Sequence, residues 1–401
     1  MQDRAGSFWP SGQQQLLLEA ALSKGERGAS AWRQLRPSFD LDALEPASYV
    51  LLPLLYRQLE RLEPEEPLLP RLRGLYRRNW YLNQLLLDRL KPGLEAVREA
   101  GVDALVVSSW ELPVRYYGDL GLRRVPELQL LVSTESVGST FAALARAGWS
   151  GPAKAPGTFL RSRPYARFEG ENGVTCLVYW RLFHEFFDPA RGREPEDLWL
   201  ASSEFSLGGV SARSLGPADE LLQICATGAR TTSWPTITWI PDAIAVLRAP
   251  ESAIDWARFI RQGRRLRATL RLLDALAFLS HELAAPVPAQ VLEELRGTPV
   301  LARERLAHRT AAARWPLLGQ APEILTRFLV LTAEESIPRA LAHGPGFLRE
   351  EWGLDRWTQL PFAALQRGRA GVAGRRVARR ADQASRRDLR HPGDEQAKLA
   401  Q

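Results

Sequence analysis

The sequence predicts an α+β protein in which a mixed β-sheet lies between two helical regions. Up to about residue 100 the apolar residues recur at helical spacing, and from Val102 they form the short runs typical of strands. After Gly216 the helical spacing returns. Helices, then strands, then helices is the order expected of an α+β core. The 401 residues are enough for two or three domains.

An N-terminal helical region is predicted over residues 1–100. Its apolar stripes occur in three stretches, Leu16–Leu22, Tyr49–Leu59 and Arg77–Leu90. Pro92 suits the first turn of a further helix that ends near Ala100 and Gly101. We therefore expect a helix boundary at Pro92.

The predicted α/β core covers residues 101–215, with its sheet over about residues 102–182. Ser133 and Thr134 suit the cap of a helix that runs through Ala147 to Gly148. Glu127 and Gln129 fall on one face of the second strand, because successive side chains of a strand alternate. The expected strands are Val102–Val107, Glu127–Val132, Thr158–Phe168 and Val174–Leu182.

A C-terminal helical region is predicted over residues 216–365, with a basic tail over residues 366–401. The clearest helical segments are Ala218–Thr227, Ile240–Leu247 and Ile254–Leu283. Residues 367–401 hold ten Arg or Lys against four Asp or Glu, which is most of the net charge of +7. The tail is expected to be a disordered or marginally helical arm that contacts nucleic acid or an anionic membrane surface, or a solvated Arg-rich end.

Composition excludes several classes of protein. No run of about 18 uncharged apolar residues suggests a transmembrane segment, and the first residues lack the layout of a signal peptide. Two cysteines, Cys176 and Cys225, are too few for a disulfide framework, and the five histidines are scattered. These features favour a cytoplasmic protein without structural zinc.

Four segments of the predicted core form one ordered pattern. Tyr117–Val132 reads YGDLGLRRVPELQLLV, and the exit of the preceding strand is Val107-Ser108-Ser109. Gly148-Trp149 and Leu177–Trp180 follow. Together they resemble the uncharacterised nucleotidyltransferase family, whose motif runs LLKG…GLRPMSDIDLLV, with Gly148-Trp149 at its GY step and Leu177–Trp180 at its ELHW step. The resemblance covers roughly residues 10–365 and implies the nucleotidyltransferase fold.

The family's chemistry explains its motif. Nucleotidyl transfer uses two Mg²⁺ ions that hold the triphosphate and activate the acceptor oxygen. Two aspartates at i and i+2 of a strand share those ions, and a third carboxylate on a neighbouring strand completes the site. A glycine turn and a nearby Lys or Arg accommodate the phosphates.

This sequence departs from that pattern at most of its chemical positions. Glu127 and Gln129 stand at the paired catalytic aspartates, and Leu177 stands at the third acid. Ser108 and Ser109 replace the Lys-Gly pair, while Gly121 and Arg123 stay in register. The resemblance therefore implies a nucleotide site formed by Ser108, Ser109 and Arg123, and Mg²⁺ only if activity survives.

Alternatives remain open for most of these side chains. Glu127 is either a Mg²⁺ ligand or a solvated residue paired with Arg123 or Arg124. Glu111 and Asp119 are candidates for relocated carboxylates. Arg123 either contacts phosphate or forms a structural salt bridge.

Two further segments have a chemical and a structural interpretation. Tyr179–His184 mixes aromatic and basic groups, which suits stacking on a base but suits core packing better. His184 has no nucleophile beside it that would make it a general base. Asp242 is expected to cap or brace the helical region.

Two functions follow from the substituted motif. The first is a non-catalytic protein that binds a nucleotide or a protein partner. The second is an active Mg²⁺-dependent nucleotidyltransferase with a rebuilt acidic site. Losing bridging carboxylates costs orders of magnitude in rate, which favours the first.

Overall fold

A computed structural model describes residues 9–153, 160, 163–183, 198–229, 237–250, 253–312, 321–332, 335–351, 356–359 and 361–362. His184 and the tail of residues 366–401 lie outside the described residues, so the predictions made for them stay predictions.

Among the described residues, four α-helices precede the sheet; three of them contain the predicted apolar stretches, and the second, Gly25–Leu35, was not predicted. Ser11 begins the first of them with a capping box, because its Oγ accepts from Gln14 N while Gln14 Oε1 accepts from Ser11 N. Pro53 lies in the first turn of the third, where a missing N–H costs nothing. The helices are α1 (Gly12–Leu22), α2 (Gly25–Leu35), α3 (Leu52–Leu62) and α4 (Leu69–Glu99).

The predicted helix boundary at Pro92 is wrong, because Pro92 lies inside α4. A proline removes only one main-chain hydrogen bond of a helix, here the one that would reach the carbonyl of Asp88. Leu90 and Leu94, on either side of Pro92, are buried in the same hydrophobic cluster. Packing of both turns against the sheet therefore maintains one continuous helix of 31 residues.

The described residues form one sheet of six strands: β1 (Leu105–Val106), β2 (Leu128–Leu131), β3 (Tyr165–Glu169), β4 (Thr175–Tyr179), β5 (Ser203–Leu207) and β6 (Val210–Ser214). Their order across the sheet is β3-β4-β2-β1-β6-β5. β2 runs antiparallel to β1 and parallel to β4, while β1 runs parallel to β6. The sheet is therefore mixed, as the sequence predicted, and β2 lies beside β4.

The predicted limit of the sheet at about residue 182 is wrong, because β5 and β6 add a hairpin beyond it. Their sequence, SEFSLGGVSARS, carries few large apolar residues and gave no strong strand pattern. The signal lies instead in the turn, where Gly208 and Gly209 both have positive φ. Two consecutive glycines between short alternating runs are typical of a two-residue hairpin.

Helix α5 (Val137–Arg146) lies between β2 and β3, and the Oγ of Ser133 accepts from Ser136 N at the start of the 3₁₀ turn before it. The cap predicted at Ser133 is confirmed. The helices after the sheet include α6 (Pro217–Gly228), α7 (Trp239–Arg248), α8 (Trp256–Arg265), α9 (Thr269–Leu283), α10 (Ala289–Gly297), α11 (Ala302–Ala312), α12 (Ala321–Leu331) and α13 (Ile337–Glu351).

The single helical segment expected over Ile254–Leu283 is two helices. Arg267, between α8 and α9, has φ of 55° and so leaves the right-handed helical region. Its guanidinium donates to the carbonyl of Val330. This contact with α12 stabilises a break that apolar spacing alone does not reveal.

Two hydrophobic clusters occupy the two faces of the sheet. One contains α4 and α5 with strand residues such as Val106, Leu130 and Val178. The other contains the helices on both sides of the sheet in sequence, with Leu105, Val107 and Leu131. The N- and C-terminal helical regions therefore share one core that includes Leu72 of α4, and the sheet separates it from α5 and the C-terminal half of α4.

Candidate functional site

The two positions at which the family has bridging acids are neighbours across the sheet. Gln129 of β2 pairs with Leu177 of β4, and Leu177 pairs in turn with Arg167 of β3. Paired residues of adjacent strands project from the same face, and Glu127 shares that face with Gln129. The row across the sheet is thus an amide, a leucine and an arginine, and two carboxylates, Glu127 and Glu169, lie beside it on the same face.

Glu127 interacts with its neighbours on this face. Gln129 Nε2 donates a hydrogen bond to Glu127 Oε1 at 2.9 Å. Partial burial raises the pKa of Glu127, while this hydrogen bond and the nearby Arg167 act in the opposite direction. Arg167 also donates to Glu169 Oε1 and to Thr175 Oγ1. The guanidinium of Arg167 therefore already lies near both carboxylates of this face.

The residues on this face do not fit a pair of Mg²⁺ ions. Magnesium prefers carboxylate and other oxygen ligands, which Leu177 and Arg167 do not provide. Within the described part of the chain, no three His, Cys, Asp or Glu side chains are grouped so as to hold a metal ion. The residues of this face therefore do not support a reaction step through Mg²⁺.

Ser108 and Ser109 follow β1 directly, at the expected phosphate-binding turn. The N–H of Ser109 donates to Glu111 Oε1 at 2.9 Å, and its Oγ accepts from Gln129 N at 3.3 Å. Ser109 is buried. Ser108 adopts a left-handed conformation with φ of 54°, which is uncommon for a residue other than glycine. The groups of Ser109 that would meet a phosphate are thus engaged within the protein.

Arg123 forms a two-point ion pair with Asp242 of α7. Its Nε lies 2.8 Å from Asp242 Oδ1, and its Nη2 lies 2.9 Å from Oδ2. Tyr117 donates its hydroxyl to the same Oδ1 at 2.8 Å. Asp242 therefore braces the helical region against the motif segment, Tyr117–Val132, which confirms the structural role predicted for it.

Asp119 performs a similar bracing function toward the N-terminal helices. Its carboxylate accepts from Arg57 of α3 at 2.8 Å and from the hydroxyl of Tyr76 of α4. It also accepts from the N–H of Gly121. A Cβ on Gly121 would overlap the ring of Tyr76, so this glycine allows close approach of α4.

Glu111 belongs to a buried group of charges beneath the motif segment. Glu111 and Glu220 of α6 are both fully buried, and Asp242 is nearly so. Burial raises the pKa of Glu111 from 4.5 to about 7 and raises the pKa of Glu220 well above its ordinary value. Each carboxylate also disfavours ionisation of the other. Three carboxylates thus share an environment with two guanidiniums, Arg115 and Arg123, and one bound proton would balance the group.

Glu220 is the least satisfied member of this group. Neither of its carboxylate oxygens has a hydrogen-bond partner among the described residues, and Glu111 Oε2 is likewise without one. Arg115 directs its guanidinium to Ser214 Oγ and to the carbonyl of Leu215 instead. An ionised carboxylate is costly to bury without a partner, so this environment favours the protonated form of Glu220.

Asn83 of α4 organises the motif segment, and the sequence analysis missed it. Its Nδ2 donates to the carbonyls of Leu120 and Arg123, each at 2.7 Å. Its Oδ1 accepts from Val125 N and from Arg124 Nη1. The available signal was a polar residue at helical spacing with Leu86 and Leu90, on the apolar face of α4.

The aromatic segment after β4 packs into the core. Trp180 is buried edge-on against Phe141, and its Nε1 donates to the carbonyl of Leu160. Phe183 is buried as well. The core-packing interpretation of these two residues is confirmed.

The candidate residues therefore form two groups. Glu127, Gln129 and Leu177 share one face of the sheet. Glu111 and Arg123 belong to the buried group beneath the motif segment, and Ser109 connects the two groups through its bonds to Gln129 and Glu111. Asp119 is bound to α3 and α4.

Comparison with known proteins agrees with the motif. A family described as uncharacterised nucleotidyltransferase matches residues 48–284. Among solved structures, an antigenic nucleotidyltransferase-like protein from Paracoccidioides brasiliensis is similar at 17% identity and a TM-score of 0.35. That similarity covers 52% of this chain and 97% of the other. No match is found among curated proteins. No helix among the described residues combines the length and apolar character needed to cross a membrane.

Proposed function

Because the chain belongs to the uncharacterised nucleotidyltransferase family, we propose that it is a non-catalytic member that functions by binding. One observation carries this proposal: the row of Gln129, Leu177 and Arg167 across β2, β4 and β3. At the positions of two bridging acids it has a neutral amide and an apolar side chain. The third position of the row is an arginine.

A protein or polymer partner is better supported than a nucleotide. Ser109 uses its N–H and its Oγ within the protein, and Asp242 engages two nitrogens of Arg123. A triphosphate would have to displace these bonds, and breaking one partner of a buried ion pair costs several kcal/mol. We also propose that the protein works in the cytoplasm, since its two cysteines are free and buried.

The proposal is tested by measuring transfer and binding in parallel. Purified full-length protein is incubated with Mg²⁺ and labelled NTPs, and transfer to protein or to small acceptors is followed. We expect no transfer. Calorimetry with NTPs, with and without Mg²⁺, is expected to show no Mg²⁺-dependent affinity.

Matched variants distinguish a rebuilt active site from contamination. Glu127→Ala removes the carboxylate at the family's first aspartate, and Glu204→Ala removes an exposed one on β5, at an edge of the sheet away from this row. Robust transfer that Glu127→Ala abolishes and Glu204→Ala preserves would overturn the proposal and establish an active enzyme.

A further inference from the structure

The exposed face of α4 carries two aromatic side chains beside two arginines. Trp80 is 46% exposed and Tyr81 is 61% exposed, although large aromatic side chains are usually mostly buried in folded proteins. Arg77 lies three residues before Trp80 and four before Tyr81, while Arg78 lies three before Tyr81. Residues three and four apart are neighbours on a helix surface, so these four side chains form one patch.

The charge of this helix is strongly one-sided. Its residues 69–91 include only one acidic residue, Asp88, against the six basic residues Arg71, Arg73, Arg77, Arg78, Arg89 and Lys91. At a rise of 1.5 Å per residue the basic side chains extend over about 30 Å. The stretch is therefore a basic stripe on a protein whose sequence outside the tail is close to neutral.

Part of this charge is compensated, and part is not. Arg71 pairs with Asp42, Arg73 with Glu60, and Lys91 with Asp88. Arg77, Arg78 and Arg89 are exposed and have no acidic partner among the described residues. Uncompensated guanidiniums between exposed rings are available to an external anion.

The stripe is continuous with the motif segment. Asn83, one turn beyond the aromatic pair, fixes Arg124 through its Oδ1 at 2.9 Å. Among the described residues, the acceptors of the Arg124 guanidinium are Asn83 Oδ1 and the carbonyl of Val125, which are both neutral, so its charge is available to a ligand. Burial lowers the pKa of Arg124, and the positive charge of Arg78 lowers it further. Arg78 and Arg124 thus place two like charges near each other.

We propose that this face of α4, with Arg124 at its edge, binds single-stranded nucleic acid. Arginines neutralise backbone phosphates, and exposed aromatic rings stack on unpaired bases, which a duplex does not offer. The inference does not depend on whether the protein transfers nucleotides. It rests on the charge, the exposed rings and their common helix face.

Two other partners fit this face less well. A helix that lies in a membrane surface buries an apolar face, but the leucines Leu86, Leu87 and Leu90 of α4 are packed in the core. A protein partner would need acidic side chains that match the exposed arginines around these rings, whereas every single-stranded nucleic acid carries both phosphates and unpaired bases. Single-stranded nucleic acid satisfies both the rings and the charge.

The test measures fluorescence anisotropy of labelled single-stranded oligouridylate and oligothymidylate with the full-length protein at several salt concentrations. We expect binding that weakens steeply with salt and a weaker signal for the matched duplex. Trp80→Ala with Tyr81→Ala should weaken binding at least fivefold, about the loss from one stacked base. Arg77→Gln with Arg78→Gln should reduce the salt slope by about 1 to 2.

A matched control separates this face from general charge. Arg296→Gln with Arg309→Gln removes the same charge from exposed positions of α10 and α11 and should leave affinity within about twofold of wild type, as surface arginines outside the site contribute little. Thermal midpoints of all variants show whether each one folds. Affinity that is unchanged in both α4 pairs would overturn the proposal. So would a duplex that binds as tightly as the single strand, or Trp80-dependent capture on phosphatidylserine vesicles without oligonucleotide binding.

Discussion

Arg123 and Asp242 are joined by two hydrogen bonds of 2.8 and 2.9 Å, and this pair links the motif segment to α7 across the interior. The Asp242 side chain is only 8% exposed, and that of Arg123 is 20% exposed. The pair is therefore shielded from solvent on the side of its carboxylate. The arginine of the motif in this chain is thus bound by a carboxylate of the same chain.

Asp242→Ala should destabilise the protein by about 3 to 5 kcal/mol, because it removes the carboxylate that accepts two hydrogen bonds from the largely buried guanidinium of Arg123. The hydroxyl of Tyr117 loses its acceptor in the same variant. Urea denaturation measures the difference. Asp103→Ala serves as control, since its ion pair with Arg213 is largely exposed and should be worth less than about 1 kcal/mol. Equal losses in the two variants would contradict this account.

Asn83→Ala should cost about 2 to 4 kcal/mol, because it leaves two carbonyls and one main-chain N–H of the motif segment without partners. Gln84→Ala changes the next residue on α4, which is exposed, and should be close to neutral. Hydrogen exchange provides a second measurement. Protection of the Val125 amide should fall in Asn83→Ala and stay unchanged in Gln84→Ala.

The architecture was predictable where apolar spacing and a long motif agreed. The motif indicated that β2 lies beside β4, and their parallel pairing of Gln129 with Leu177 confirms it. The hairpin of β5 and β6 was missed because its strands are short and polar. The continuity of α4 through Pro92 was missed because tertiary packing outweighs the local effect of a proline.

The candidate site was predictable only in part. Sequence positions placed Glu127 and Gln129 on one strand face, which needs no tertiary information. That Asp242 would hold Arg123 depends on contacts between residues more than a hundred positions apart, which a single sequence does not reveal. The same holds for the proximity of Glu111 to Glu220.

The buried acids predict a specific pH dependence. Burial raises the pKa of Glu111 from 4.5 to about 7, and it also raises that of Glu220. The unfolded chain therefore releases these protons at a lower pH than the folded protein does. The contribution of these two groups to the free energy of unfolding should be fully present below about pH 4.5. It should be lost as pH rises through about 7.

Glu220→Gln removes one of these acids while keeping its shape. The free energy of unfolding of this variant should exceed that of wild type at neutral and higher pH and should fall less as pH rises. The remaining groups that face position 220, Glu111, Arg115, Tyr116, Arg123 and Asp242, are unchanged. Glu204→Gln, on the exposed side of β5, should leave the pH profile as in wild type. A pH profile in Glu220→Gln that matches wild type would show that this carboxyl group does not govern the loss of stability with rising pH.

Rebuilding the family's acids tests whether the substituted row is the reason that Mg²⁺ does not fit. Gln129→Asp with Leu177→Asp adds two carboxylates beside Glu127 on a face that also carries Glu169. Without metal this variant should be less stable by about 2 kcal/mol, because Leu177 is only 8% exposed and its replacement buries a charge. Arg167 lies beside it and offsets part of the cost.

Added Mg²⁺ should then raise the unfolding midpoint of the rebuilt variant, since a ligand that binds only the folded state stabilises it by mass action. The control is Gln129→Asn with Leu177→Asn, which makes similar changes in size and polarity without adding carboxylates, and its midpoint should not respond to Mg²⁺. A wild-type protein stabilised by Mg²⁺ as strongly as the rebuilt variant would mean that Glu127 alone recruits the metal.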